Sequence, residues 1–143
     1  MPAAYGLVMP ASAFLPLDVA ELEVRSVMRP GVVTVGDEAS VRQAASTMLS
    51  HRVHAVLVCG RGGRSLGWIT ARGLLSWLGR DTSAARAAAA IDEPPTLISP
   101  SATMSDAAER LSEAGVGRLL VAHRIDDAPL GVVTELDVLA ALA

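Results

Sequence analysis

The chain has 143 residues, the size of one compact domain, and its formal net charge of −3 gives no electrostatic case for binding nucleic acid. Hydrophobic residues make up 51% but aromatics only 3%, so Ala, Val and Leu must fill the core, and the surplus apolar surface points to burial against a partner chain. The single cysteine, Cys59, excludes a disulfide within the chain and is compatible with a reducing cytoplasm.

Residues 1–23 read as an N-terminal arm and a short helix. The arm has no basic start, and Pro2, Pro10 and Pro16 interrupt it, which argues against a signal peptide. No apolar run reaches the roughly 18 residues that a membrane span needs. The arm carries Tyr5, Leu7, Val8, Met9, Phe14 and Leu15, and this apolar surface is expected to pack over the rest of the chain or a neighbouring one.

Asp18 caps a predicted helix running to Met28, which Pro30-Gly31 ends. Val32–Val35 is β-rich. Ser40 and Gln43 form a capping box, followed by an apolar stripe of Val41, Ala44, Ala45, Met48 and Leu49. Val53–Cys59 and Leu66–Thr70 are strands around the glycine-rich turn at 60–64, and Gly73–Leu78 is a short helix. Ala84–Ile91 reads as an alanine-rich helix stopped by Pro94-Pro95, with Thr96–Ile98 extended after it. Thr103 and Asp106 form a second capping box, and Met104, Ala107, Ala108 and Leu111 its stripe. Gly115 ends that helix, Val116–Ala122 and Leu130–Thr134 are strands, and Glu135–Leu142 closes the chain as a helix.

These elements occur twice. At an offset of about 63 residues, the helix at Val41–Met48 falls on Met104–Leu111, and Val53–Val58 falls on Val116–Val121. One residue of drift later, Gly67-Trp68-Ile69-Thr70 falls on Gly131-Val132-Val133-Thr134. Each copy reads as β-α-β-β-α, giving an α+β fold with repeats at 24–80 and 84–143. A unit near 60 residues is marginal alone, so the two should share a core as one pseudo-two-fold module.

The duplicated order resembles a tandem pair of CBS (cystathionine beta-synthase) domains. Val24-Arg25-Ser26-Val27-Met28-Arg29-Pro30 is similar to the family's opening, and Gly131-Val132-Val133-Thr134-Glu135-Leu136-Asp137 to its "G-h-h-[ST]-x-x-D" motif. The resemblance spans residues 24–143 and implies a disc of two sheets with clefts between them. It also implies binding of an adenosine-containing ligand, such as AMP, ADP, ATP or S-adenosylmethionine, and regulation of another protein. Pairing of two discs across their helices is implied too. The sequence departs from the family in two respects. Leu57 and Leu120 stand where proline is common, and Gly73 stands at the position matching Asp137.

The resemblance makes Asp137 the candidate ribose ligand, since a carboxylate accepts from two hydroxyls. Thr134 and the helix start beside it are candidates for phosphate, as is the guanidinium of Arg118. Thr96, Leu97 and Ile98 are expected to flank an adenine. The first copy is poorer, with Thr70 and His54 offered, Gly73 lacking a side chain, and Ala55 matching Arg118. Each has a plainer reading. Thr-x-x-Asp is also a capping box, Arg118 a strand-edge charge, and 96–98 core. His51 and His54 lack further metal ligands nearby, and no catalytic arrangement can be assembled. The sequence thus supports a cytoplasmic, homodimeric, non-enzymatic sensor of an adenine nucleotide with an unknown regulated protein. The alternative is a ligand-free module for dimerisation and docking.

Overall fold

The computed structural model describes residues 18–143. The arm, with its expected packing over the disc, lies outside the described residues. Among them the strands are β1 (Arg29–Pro30), β2 (Thr34–Gly36), β3 (Ala55–Cys59), β4 (Ser65–Thr70), β5 (Leu97–Ile98), β6 (Arg118–Val121) and β7 (Gly131–Thr134). The α-helices are α1 (Val24–Val27), α2 (Val41–His51), α3 (Ala71–Leu74), α4 (Met104–Ala114) and α5 (Glu135–Leu142). This is an α+β fold of two repeats.

Local chemistry sets the helix ends. Ser40 and Gln43 form the capping box of α2, and Thr103 and Asp106 that of α4. Gly115 ends α4 in the left-handed conformation at φ 65°, where a side chain would be strained. On α2, Val41, Ala44 and Met48 are buried, but Leu49 is 80% exposed. The apolar stripe is therefore one residue narrower than its periodicity suggests.

Two sheets form, β2–β3–β4 and β1–β7–β6–β5. Strand alternation gives each sheet two apolar faces. Val56, Val58 and Ile69 face α2, while Leu119, Val121 and Val133 face α4. The residues between them in sequence, Leu57, Trp68 and Leu120, turn the other way and form a core that both sheets share. Neither repeat can bury this second face alone, which is why the duplication yields one module.

The lead segments cross. The segment before β2 does not stay with its own repeat, because β1 pairs with β7 of the second sheet, Arg29 opposite Val132. Val24, fully buried, sits in the core beneath α4, and its N–H donates to the Ala102 carbonyl at 2.7 Å. The linker before the second repeat does the converse. Ala87 and Ala90 are buried in the core beneath α2, and the Val41 N–H donates to the Ala85 carbonyl at 2.9 Å. Bridges Glu23–Thr103 and Ser40–Arg86 mark the two crossings symmetrically. Gly131 is required here, since a Cβ there would collide with the Arg29 carbonyl oxygen, which is backbone and cannot give way.

Two predicted helices change under this arrangement. Ala84–Ile91 is only a 3-10 turn, Ala87–Ala90, because the segment must run extended against the start of α2 before and toward β4 after. Of its alanines, Ala87 and Ala90 are spent in the core, while Ala84, Ala88 and Ala89 are exposed. Asp18–Met28 splits into a 3-10 turn at Val19–Glu21 and α1, since Glu23 leaves the helix to pair with Thr103.

Candidate functional site

The shared face continues past Leu57, Trp68 and Leu120 to the ends of the hairpins, where β7 runs into α5 and β4 into α3. At the β7 end, Thr134 lies directly across from Arg118 on β6. Asp137, one turn into α5, folds back onto the helix start. Its Oδ2 accepts from the Thr134 N–H at 2.8 Å and from the Thr134 hydroxyl at 3.3 Å. The Asp137 side chain is 13% exposed, and its Oδ1 has no hydrogen bond among the described residues; the Arg29 Nε lies 3.9 Å away. The capping contact thus uses one carboxylate oxygen and leaves the other. This geometry also shows that β1 borders the site, since it supplies Arg29 beside β7.

The β4 end is built differently. Thr70 caps α3, accepting from the Gly73 N–H at 3.0 Å. Gly73 has no carboxylate, but Asp92 of the linker brings one. Asp92 Oδ1 accepts from the Thr70 N–H at 2.8 Å and Oδ2 from its hydroxyl at 2.5 Å. A Cβ on Gly73 would lie 2.5 Å from the Asp92 Cγ. Asp92 therefore occupies the space that a side chain at 73 would need, and both of its oxygens are engaged.

Arg118 does not turn toward Asp137. Its Nε lies 3.3 Å from Glu93 Oε2, with its guanidinium carbon 5.9 Å from the Trp68 ring centre. Both side chains are largely buried, and the Nε and Oε2 atoms, though close, lack the alignment of a hydrogen bond and have no other partner. The Trp68 indole N–H, also buried, has no acceptor among the described residues. Burial pushes the Glu93 carboxyl above its ordinary value. The Arg118 charge and the Gly117 N–H oppose that shift, while the Asp92 and Glu135 charges add to it.

The remaining candidates are scattered. Leu97 lies beside the shared core, opposite Leu120, but Ile98 alternates away and packs in the core beneath α4. β6 separates both from β7 and hence from Asp137. Thr96 is half-buried, and its carbonyl accepts from the Leu120 N–H at 2.8 Å. His54 is exposed, and its carbonyl accepts from the Ala71 N–H at 2.8 Å. His51 ends α2 and its ring contacts the Thr47 carbonyl at 3.0 Å, and no group of three metal-ligating side chains occurs among the described residues. Burial pushes the Cys59 thiol up, the opposite of what activates a nucleophile.

Sequence reasoning missed Asp92, Glu93 and Arg29. The first two looked like the end of a helix rather than part of a site. The repeat offset does match Asp92 to Arg29, a charge reversal that accompanies the exchange of Asp137 for Gly73, but its meaning depends on the crossing of the lead segments.

The CBS domain family model matches residues 24–80 and 87–143. Among curated proteins no sequence match is found. Solved structures are similar over most of the chain. A CBS-domain protein of Agrobacterium tumefaciens is 23% identical, with a TM-score of 0.72, over 85% of this chain and 98% of that one. The CBS domain of a bacterial CNNM/CorC family Mg2+ transporter, in complex with ATP, is 24% identical with a TM-score of 0.76, over 89% of this chain and 91% of that one. A CBS-domain protein of Pyrobaculum aerophilum, complexed with AMP, is 17% identical with a TM-score of 0.71, over 85% and 98%. With matches to both halves, crossed lead segments and a shared inter-sheet core, the chain belongs to the CBS domain family as a tandem pair, a kind of module that is typically regulatory rather than catalytic.

Proposed function

We propose that this CBS pair is a non-enzymatic regulatory sensor that binds an adenine nucleotide beside Thr134 and Asp137. The observation that carries the reading is the division of labour within the Asp137 carboxylate. Oδ2 is held by Thr134, which fixes the group in place, and Oδ1 is left to accept from ribose hydroxyls. Arg29 lies near enough to add positive charge on the same side. At the other end, Asp92 spends both oxygens on Thr70, so that cleft offers less to a ligand. Arg118 supplies the phosphate contact, with Thr96 and Leu97 lining the apolar approach; Ile98 contributes packing behind them. Relatives that bind AMP and ATP support this ligand class. The module acts in the cytoplasm on a regulated partner.

The test is a thermal-shift panel of AMP, ADP, ATP, S-adenosylmethionine and NAD. Each protein is compared with its own ligand-free midpoint, because Asp137 also caps α5. Ligand at about 100 times its dissociation constant stabilises the fold by about 2.7 kcal/mol. The expected result is a shift that Asp137→Ala abolishes and Thr70→Ala spares. A shift lost only in Thr70→Ala assigns the ligand to the other cleft. No shift with any ligand sinks the sensor reading and leaves a docking module.

A further inference from the structure

We infer that Glu93 is an internal occupant of the anion position at Arg118, so that a phosphate-bearing ligand must displace a carboxylate of the protein's own linker to bind. The inference rests on the nucleotide reading above and adds to it a residue that sets which ligands are accepted.

The argument starts from an odd pairing. A buried guanidinium facing a buried carboxylate is stabilising when the two form aligned, forked hydrogen bonds. Here Arg118 Nε and Glu93 Oε2 approach to 3.3 Å but miss that alignment, and neither has another partner. The pair has borne the cost of leaving water without the full return in hydrogen bonding. The neighbouring Trp68 indole N–H is in the same position, buried with no acceptor among the described residues. Two buried donors and one ill-fitting acceptor therefore lie in this part of the core, with the Arg118 guanidinium carbon 5.9 Å from the Trp68 ring centre. A phosphate, with several acceptor oxygens set tetrahedrally, is better suited to the Arg118 guanidinium than one misaligned carboxylate is.

The Glu93 side chain can turn away while the linker backbone stays in place. That backbone is held at an isolated bridge, where the Trp68 N–H donates to the Glu93 carbonyl at 2.9 Å and the Glu93 N–H to the Trp68 carbonyl at 3.4 Å, and Pro94-Pro95 follow at once. Asp92 anchors the linker independently at Thr70. Like charges also surround Glu93. Asp92 precedes it and Glu135 acts on it from the start of α5, against the single cation Arg118 and the Gly117 N–H. An incoming phosphate dianion meets the same acidic surroundings. Adenosine, which lacks the phosphate, does not compete for Arg118.

The test is calorimetric titration of the full chain with AMP, with adenosine and with inorganic phosphate, on the parent, Glu93→Gln and Glu93→Asp. Glu93→Gln removes the competing charge but keeps a carbonyl for Arg118. It is expected to tighten AMP by about tenfold, the scale of one charge-assisted hydrogen bond, and to leave adenosine within about twofold. Glu93→Asp, which withdraws the carboxylate by one methylene, is expected to tighten AMP less. Inorganic phosphate should follow AMP in direction. If the parent binds AMP and neither variant binds it more tightly, the displacement inference is wrong while the nucleotide reading stands. If AMP and adenosine tighten equally, Glu93 acts through the fold rather than through Arg118, and the inference again fails. If no protein binds any of the three, the displacement inference falls, while the nucleotide reading stands or falls with the ADP, ATP, S-adenosylmethionine and NAD arms of the thermal-shift panel. Should both variants prove unfolded by circular dichroism, Glu93 is a structural ion-pair partner and not a displaceable one.

Discussion

The Asp92 carboxylate in the place of a side chain at Gly73 makes a sharp prediction about two residues 19 positions apart in sequence (92 against 73). Replacing Asp92 by Ala removes two hydrogen bonds, at 2.8 Å to the Thr70 N–H and 2.5 Å to its hydroxyl. Thr70 is buried, so its groups gain little from water in exchange. Bonds to a charged group contribute about 1.5–3 kcal/mol each, and Asp92 itself is exposed, so about 2–4 kcal/mol in all is expected for Asp92→Ala. In a domain of this size that lowers the melting temperature by roughly 5–15 °C. Gly73→Ala in the parent introduces a Cβ 2.5 Å from the Asp92 Cγ. The exposed Asp92 side chain can swing out, and the cost is then the same two bonds, offset by about 1 kcal/mol for alanine over glycine in a helix. In the Asp92→Ala background there is nothing to displace, so Gly73→Ala becomes neutral or stabilising by up to about 1 kcal/mol. The coupling is therefore about 2–4 kcal/mol, well beyond the few tenths expected of independent sites. The pair Asp92→Ala with Gly73→Asp goes further. It rebuilds the Thr-x-x-Asp arrangement of Thr134 and Asp137 and should recover at least half of the loss. Urea denaturation followed by circular dichroism measures the parent and the four variants. If Gly73→Ala has the same effect in both backgrounds, to within about 0.5 kcal/mol, the substitution of linker for helix carboxylate is refuted.

Two further outcomes are expected. Val24→Ala removes two methyl groups from a fully buried site, a loss of about 2–3 kcal/mol with the cavity included. Hydrogen exchange should show the lost protection in α4 of the second repeat; a loss confined to α2 would contradict the crossing of the lead segments. Leu136, Leu139 and Leu142 on α5 and Leu75 and Leu78 after α3 are exposed, and Leu139 and Leu142 lie at the places matching Leu75 and Leu78 in the first repeat. We expect sedimentation at tens of micromolar, roughly where an interface of ordinary size associates, to show a dimer that Leu139→Glu with Leu142→Glu dissociates; a strict monomer in the parent counts against it.

Most of the fold was legible because local signals agree with the global arrangement. The two capping boxes, the left-handed Gly115 and the hydrophobic runs of β3 and β6 each carry their structure in a few adjacent residues. What was not legible depends on pairing between distant segments. Ala84–Ile91 has the composition of a helix, and alanine is the best helix former. Tertiary packing overrides that preference, because Ala87 and Ala90 are small enough to let the linker press into the core beneath α2. The same blindness affected the site. Thr134 and Asp137 are three residues apart, so their contact was readable as a motif. Arg118 and Glu93 are not adjacent in any pattern, and their contact exists only because the linker crosses between the sheets.

The crossing also explains how the two halves came to differ without either losing its helix start. Each lead segment passes the end of the other repeat's hairpin, so a charge on it can serve where the hairpin's own helix lacks one. At one end, Asp137 stands on α5 and the lead segment contributes the cation Arg29. At the other, α3 has Gly73 and the lead segment contributes the anion Asp92. A carboxylate reaches the capping threonine in both cases, but by different routes and with different residual chemistry. On the Asp137 side a free carboxylate oxygen and a nearby cation remain. On the Asp92 side both oxygens are spent, and the next linker residue, Glu93, is carried onto Arg118. Stability is thus conserved across the pseudo-symmetry while ligand chemistry is not. For that reason the two clefts should be distinguished by binding measurements rather than by loss of fold.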